Sequence, residues 1–357
     1  MERVLAVCRD VYNSMVNGRR HDFEVSGKSP SYYEQKRALP VWKKTHPELR
    51  EVHSQTLQDV VKRVDLAFQA FFRRVKSGET PGYPRLKHDG YDSFTFTQGG
   101  YSVSQTELAL FNIGAVKAVF HRAIEGEVKT LTIRKRGGKW FACFSCEVCA
   151  ENLPASDEQV GIDVGLSHFA TLSDGRAIAN PRFFRRDEKA LAKAARKQAK
   201  TKKRSPARRK ANRVLARIHE RIRFRRHDFV HQFARCLVNH YGVIAVENLN
   251  VKGMVKNHCL AKSISDASWS MFRAVLTSKA ESAARVLVAV EPAYTSQDCS
   301  TCGFRVRKKL SERVHSCPNC GLVLDRDHNA ALNLIQIAVG LHSVGQSVEA
   351  PAFTHGE

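Results

Sequence analysis

QVGIDVGLSHFATLSDGRAIA, residues 159–179, reads as a strand, a second strand, and a third reached through the turn pair Asp174-Gly175. Within the first of these, Asp163 is flanked by Ile162 and Val164. An ionised side chain there is costly unless a cation or a polar partner compensates it. Gly165, two residues on, allows backbone or substrate a close approach. VIAVENL, residues 243–249, repeats the arrangement, with Glu247 ending an apolar strand ahead of Asn248. A third apolar strand, RVLVAVEP, follows a helical stretch at about 266–286.

A third acid lies in DRDHNAALNLI, residues 325–335. Ala331, Leu334 and Ala338 continue the face of Asp327 along a helix, which favours Asp327 as a ligand and leaves Asp325 as the helix cap. Each acid has a plainer reading alone: Asp163 as the cap of a neighbouring turn, Glu247 as a solvated strand end, Asp327 as the helix cap itself. Together, in the order Asp163, Glu247, Asp327, they predict a divalent-metal nuclease on an RNase H-like sheet. Oxygen-rich ligation favours Mg²⁺ or Mn²⁺ over zinc, with two cations about 4 Å apart acting on a phosphodiester. A protein nucleophile is not required, and no two of the fifteen histidines lie two residues apart, so the paired-His signature of tyrosine nickases is absent.

Between the first two acids, residues 182–226 carry 20 Lys and Arg against 3 Asp and Glu, a local +17. Leu215, Ile218, Ile222, Phe229, Phe233 and Leu237 repeat at helical spacing, so the block predicts a long helix with one core face, interrupted near Ser205-Pro206 and stopped at Tyr241-Gly242. Such charge density favours contact with a nucleic-acid backbone over a merely solvated face. Arg208, Arg209, Lys210, Arg213, Arg217 and Arg221 are the expected contacts. The whole chain of 357 residues has a formal charge of +23 and a pI near 9.8, in keeping with a phosphate-rich partner. It is 43% apolar, has no stretch approaching a membrane span and no signal-peptide core, and is expected in the cytoplasm, on the nucleoid when bound to DNA.

CSTCG and CPNCG place Cys299, Cys302, Cys317 and Cys320 in two knuckles fourteen residues apart, the spacing of a structural four-thiolate zinc site with no open position for substrate. Cys143, Cys146 and Cys149 alternate along a strand and cannot share one metal, so they read as buried or half-buried thiols, and Cys8, Cys236 and Cys259 as ordinary packing. Towards the amino terminus, Val4, Cys8, Val11 and Met15 mark one helical stripe and Val60, Val64, Phe68, Phe71 and Val75 another. After the turn-rich SGETPGYPRLKHDG, the segments SFTF, VKTLTIRK and KWFACFSCEV alternate with period two around Gly137-Gly138, predicting a hairpin in a small β-barrel or sheet, and ENLPASDEQ reads as a linker.

GIDVGLSHFATLSDG, HERIRFRRHDFVHQFARCLV, VIAVENLNVKGM, YTSQDCSTCG and CPNCGLVLDRDHNAALNLI together resemble the OrfB/TnpB proteins of insertion sequences, relatives of the compact type V CRISPR nucleases. The resemblance spans nearly the whole chain, GYPRLKHDG and SFTF included. It implies a mixed α/β, multidomain protein: a helical recognition layer (1–80), a guide-binding β-barrel (81–152), a RuvC-like core (157–298) with a basic helical insert (182–240), a target-binding zinc ribbon (299–322), a final RuvC segment (323–340) and a flexible tail (341–357). It also implies Asp163, Glu247 and Asp327 as the metal-binding triad, one structural zinc, a guide RNA derived from the transposon end, and double-stranded target DNA. Family members begin with a strand of the type KxYKFRLYPT and a helix ahead of RDVYN, whereas this chain opens almost at RDVYN, so the barrel is expected to be one strand short, through either a misassigned start or a truncated copy. A shortened copy suggests a second reading, a non-cleaving nucleic-acid-binding regulator. A strand-transfer enzyme, the third, would run its acids Asp, Asp, Glu.

Overall fold

Apolar stripes three and four residues apart build the first of two compact units, residues 1–149. The computed structural model describes residues 1–88, 90–149, 152–309 and 311–343. Helix α1 (Glu2–Ser26) presents Val4, Cys8, Val11 and Met15 to α3 (Ser54–Lys76), whose Leu57, Val60, Val64 and Phe68 close the same core. Val75 leaves that core at the end of α3 and is exposed. Between them lies α2 (Tyr32–Thr45), opened by a reciprocal capping box of Ser31 and Glu34. Burial pushes the Cys8 thiol up to about 12, the behaviour of a packing cysteine.

The β-part of this unit departs from the expected barrel. Strands β1 (Ser93–Phe96), β2 (Tyr101–Val103), β3 (Glu107–Leu110), β4 (Gly114–Lys117), β5 (Glu127–Arg136) and β6 (Lys139–Glu147) form two three-stranded antiparallel sheets, β1-β5-β6 and β2-β3-β4. No ladder joins them into a closed barrel among the described residues. With three or four residues each, β1 to β4 are too short to carry the tilt and stagger that closure demands. The predicted hairpin is present, its turn made by Gly137 and Gly138 at φ 57° and 81°.

The second unit is built on a five-stranded sheet ordered β11-β10-β7-β8-β9. Strands β7 (Gln159–Val164), β8 (His168–Leu172) and β9 (Ala177–Ala179) form an antiparallel meander. The basic block follows as a helical pair, α4 (Phe183–Ala199) and α5 (Pro206–His240), broken where predicted: Ser205 caps α5 and Pro206 takes its first position. Strand β10 (Val243–Glu247) pairs parallel to β7, and after the short α6 (Val251–Met254), α7 (Ala261–Ala267) and α8 (Trp269–Ser282), β11 (Val286–Val290) pairs parallel to β10. The helical stretch predicted at 266–286 is thus shorter and broken at Ser268. A two-stranded ribbon, β12 (Val314–Ser316) with β13 (Val323–Asp325), leads into α9 (Arg326–Ser343). The expected tail, from residue 344 on, lies outside the described residues.

Strand alternation separates two faces. Val160, Ile162, Ile244 and Val246 pack with Phe233 and Leu237 of α5 and Phe272 and Leu276 of α8, and Phe169 meets Phe229 and Phe272 edge to face. Ala245, Val288 and Val290 pack instead with Leu334 and Ala338 of α9. That helix lies so close to β7 that a Cβ built on Gly161 would stand 1.9 Å from the Ala331 carbonyl oxygen. Gly161→Ala is therefore expected to lower the stability of this unit by about 3 kcal/mol or more, because backbone must move to admit the methyl. Urea unfolding measures it, and a variant as stable as the parent would show that α9 slides freely on the sheet.

Candidate active site

Parity along the strands places the acids. With Ile162 and Val246 facing α5 and α8, their neighbours Asp163 and Glu247 face the α9 side, and the parallel register Val246↔Ile162 sets them side by side at the carboxyl ends of β7 and β10. Asp327 stands in the first turn of α9, and Asp325 caps that helix as predicted, its Oδ1 accepting from the N–H groups of Asp327 (2.9 Å) and His328 (3.1 Å). The seating of α9 on Gly161 carries this turn toward the end of β7.

The electrostatics are those of acids held against their preference. Burial, then the charges of Glu247 and Asp327, push the Asp163 carboxyl well above the usual range. Burial raises Glu247 to about 7, against a hydrogen bond with Asp163 and another from the Val164 N–H. Asp163 and Glu247 thus share a hydrogen bond. Asp327 is drawn elsewhere, to Arg326 (3.0 Å) and Arg313 (3.6 Å), and the ligand atoms of the three acids do not gather within 4.8 Å of one another. The structure therefore couples all three acids electrostatically and brings only two into contact. The donor set, oxygen throughout, suits a hard divalent cation.

The four ribbon thiols do gather within 4.8 Å, the only group of three or more potential ligands to do so among the described residues. Sγ separations of 3.5 Å (Cys299 to Cys320) and 3.6 Å (Cys302 to Cys317) approach the edge of about 3.8 Å expected for a tetrahedron with Zn–S near 2.3 Å. Each knuckle turns through a left-handed glycine, Gly303 and Gly321. The side chain of Asn319 and the N–H of Phe304 hold the Cys302 thiol down to about 6, while, against the Leu322 N–H, burial and the neighbouring thiols push Cys320 up to about 12, so the crowded sulfurs titrate as one cluster. A polar stripe on α9 binds this ribbon: Asn329, fully buried, accepts from the Ser300 N–H and donates to the Asp298 carbonyl, Asn333 donates to the Thr295 and Asp298 carbonyls, and Gln336 donates to that of Ser300. Sequence reading missed this clamp, although Asn at 329 and 333 in an otherwise apolar helix was its visible trace.

The other cysteines and the basic residues sort differently from expectation. Cys236 and Cys259 are exposed and do not pack, Cys236 because it falls on the outer face of α5. Cys143 and Cys149 are exposed too, and only Cys146 is half-buried. Arg208 donates to the Gln198 and Thr201 carbonyls at the end of α4, and Arg221 pairs with the buried Asp187 at 2.5 Å, so both serve the helical pair itself. Arg209, Lys210, Arg213 and Arg217 are exposed and, among the described residues, have no ion-pair partner. Asp266, also missed, accepts from the first N–H groups of α4 and from Arg226, anchoring the basic pair to α7. No helix among the described residues is long and apolar enough to cross a membrane.

Two family models match the chain: OrfB_IS605, described as "Probable transposase", over residues 143–258, and the Cas12f1-like TNB domain over residues 269–334. A "Putative RNA-guided DNA endonuclease" of Streptomyces pristinaespiralis is 35% identical over 356 residues, covering 98% of this chain and 88% of that protein. The "Putative RNA-guided DNA endonuclease InsQ" of Escherichia coli K12 is 28% identical, covering 98% and 91%. Among solved structures, the protein of a Cas12f1-sgRNA-target DNA complex superposes with a TM-score of 0.58 at 14% identity, covering 93% of this chain and 81% of its own, a likeness of fold.

Two outcomes follow from the geometry. With its zinc retained and no other divalent cation present, thermal stability should fall as pH rises from about 4 through 7, because Asp163 and Glu247 ionise at lower pH unfolded than folded, and Asp163→Asn should remove most of that fall and raise Tm at pH 8. Scanning calorimetry across pH reads this, and a flat profile in the parent would mean the two acids are not strained. Elemental analysis should give about one zinc per chain, lost in Cys317→Ser together with part of the thermal stability. Zinc-free protein of undiminished Tm would show that the thiols merely pack.

Proposed function

The chain belongs to the OrfB/TnpB family, and from that membership we propose that it is an RNA-guided endonuclease that hydrolyses DNA phosphodiester bonds with divalent cations held by Asp163, Glu247 and Asp327. The observation that carries this reading is the pair of strained carboxyls at the carboxyl ends of adjacent parallel strands, with Asp327 close enough for its charge to raise both. A sheet of three parallel strands and an antiparallel meander, with helices on both faces, supports a RuvC-like, RNase H-type description of residues 157–298 and 323–340. Bound there, two Mg²⁺ or Mn²⁺ ions would supply an activated water and stabilise the leaving 3′ oxygen.

The protein's own groups prepare that chemistry. Burial and mutual repulsion hold Asp163 and Glu247 above the usual carboxylate range, a strain that bound cations would relieve; Arg326 and Arg313 orient Asp327. The Cys299, Cys302, Cys317 and Cys320 ribbon is proposed to hold one structural zinc and to serve the target-binding role named by its matching domain model. Residues 1–80 and 81–152 would hold a guide RNA from the transposon end, and Arg209, Lys210, Arg213 and Arg217 would run along a phosphate backbone, in the cytoplasm and on the nucleoid.

Purified with RNA from the end of its element, the protein should cut guide-matched plasmid in Mg²⁺, and Asp163→Ala should abolish cutting while keeping RNA-dependent binding. Identical products from both proteins would overturn the assignment, and binding without any metal-dependent nick would favour a regulator. Replacing Arg209, Lys210, Arg213 and Arg217 by Gln should reduce the slope of log affinity against log salt by about three to four. An unchanged slope would remove this face from the interface.

A further inference from the structure

On the side of Glu247 away from α9 lies a cavity of about 240 Å³, walled by Val164, Leu249, Val251, Trp269 and Ala274, with Glu247 and Arg273 on its edge. It is smaller than the roughly 300–1,000 Å³ of pockets for drug-sized ligands, room for one planar ring system and too little for a duplex. Trp269 is 5% exposed, and its enclosed indole N–H has no acceptor within reach.

Arg273 is held differently from Arg226, the half-buried arginine that anchors α5. Arg226 faces the buried Asp266 carboxylate at 2.9 Å, whereas the Arg273 guanidinium donates to the neutral Oδ1 of Asn248 at 2.6 Å and, among the described residues, has no ion-pair partner. Asn248 is itself fixed, its side-chain amide donating to Glu291 at 2.7 Å and its backbone N–H to the Val290 carbonyl at 2.7 Å. Arg273 is thus oriented without being neutralised, the arrangement suited to an external anion such as a phosphodiester.

Apolar walls that include the Trp269 ring, an oriented cation without an ion-pair partner and a proposed metal ligand therefore meet in one cleft. Resting on the nuclease reading above, we propose that this cleft is a nucleotide subsite: it takes one base of the strand to be cut, splayed from its neighbours between Trp269 and the aliphatic wall, while Arg273 grips the adjoining phosphate and delivers the next one to the carboxylates. A base held so fixes the scissile phosphate against the cations without reading sequence, since every base offers an apolar face and an acceptor.

The test uses the full chain with its guide RNA and guide-matched DNA, whose pairing fixes the register. One nucleotide at a time of the strand to be cut is made abasic, or carries 5-iodouracil for photocrosslinking. At one or two adjacent positions beside the cut, base removal should slow single-turnover cleavage roughly tenfold, the loss expected of one stacked base, and iodouracil there should crosslink to Trp269. Ala274→Phe, which fills the cavity from an exposed helix position, should erase the position effect and the crosslink while leaving Tm unchanged; Arg273→Gln should raise KM more than it lowers kcat. Metal-dependent cutting that ignores base removal at every position overturns the subsite and leaves the nuclease standing. A crosslink at Trp269 without cutting supports the subsite and overturns the nuclease. Absence of both overturns the two together.

Discussion

The architecture of the second unit turns on one close contact, the backbone of α9 against β7 at Gly161. Only a residue without a side chain permits the Ala331 carbonyl to approach so near, and that approach decides where the first turn of α9 stands. Because Asp327 belongs to that turn, the packing of two backbones sets the field felt by acids that lie eighty or more residues away in sequence. The sheet contributes the other half of the arrangement. Parallel pairing of β7 and β10 forces Asp163 and Glu247 side by side, where they resist ionising together and share a hydrogen bond. Such a pair is a liability to the fold in isolation, and a cation bound as proposed would supply the missing charge.

The helix that bears Asp327 also holds the thiolate ribbon. One face, Ala331, Leu334 and Ala338, is buried in the sheet, while Asn329, Asn333 and Gln336 on another reach the main chain on either side of Cys299. Sheet, acid and ribbon are therefore parts of one packed object, and the ribbon is not a bead on a flexible tether. The basic pair α4 and α5 is anchored in a comparable manner, by acids rather than amides: Asp266 at the start of α4 and Asp187 beneath Arg221 and Arg225. Part of the positive charge conspicuous in the sequence is spent inside the pair, and much of the rest is exposed, on α5 at Arg209, Lys210, Arg213 and Arg217 and on α4 at Lys189, Lys193, Arg196 and Lys197.

Much of this was legible in the chain itself, for physical reasons that are local. An acid inside an apolar strand is a signal because burying charge is costly, which marked Asp163 and Glu247; paired CxxC knuckles have few other uses; Ser205-Pro206 ends one helix and starts the next whatever surrounds it. Periodicity gave the amino-terminal helices and the hairpin at Gly137-Gly138. The barrel did not follow, because closure depends on which strands find one another and on their length, and period-two alternation describes only the faces of each strand.

Amino-acid sequence alone thus singled out the residues proposed to carry chemistry and the elements that bear them, since side-chain type, spacing and turn propensity act over a few residues. Tertiary structure alone decided how those residues are partnered: that two acids touch while Asp327 leans on Arg313 and Arg326, that Arg208 and Arg221 hold partners inside the helical pair, that Cys236 and Cys259 face solvent, and that Arg273 stands oriented and without an ion-pair partner beside Glu247. Each of these depends on which distant segment arrives next to the residue, and a charge, a thiol or a guanidinium takes its role from the partner that packing delivers.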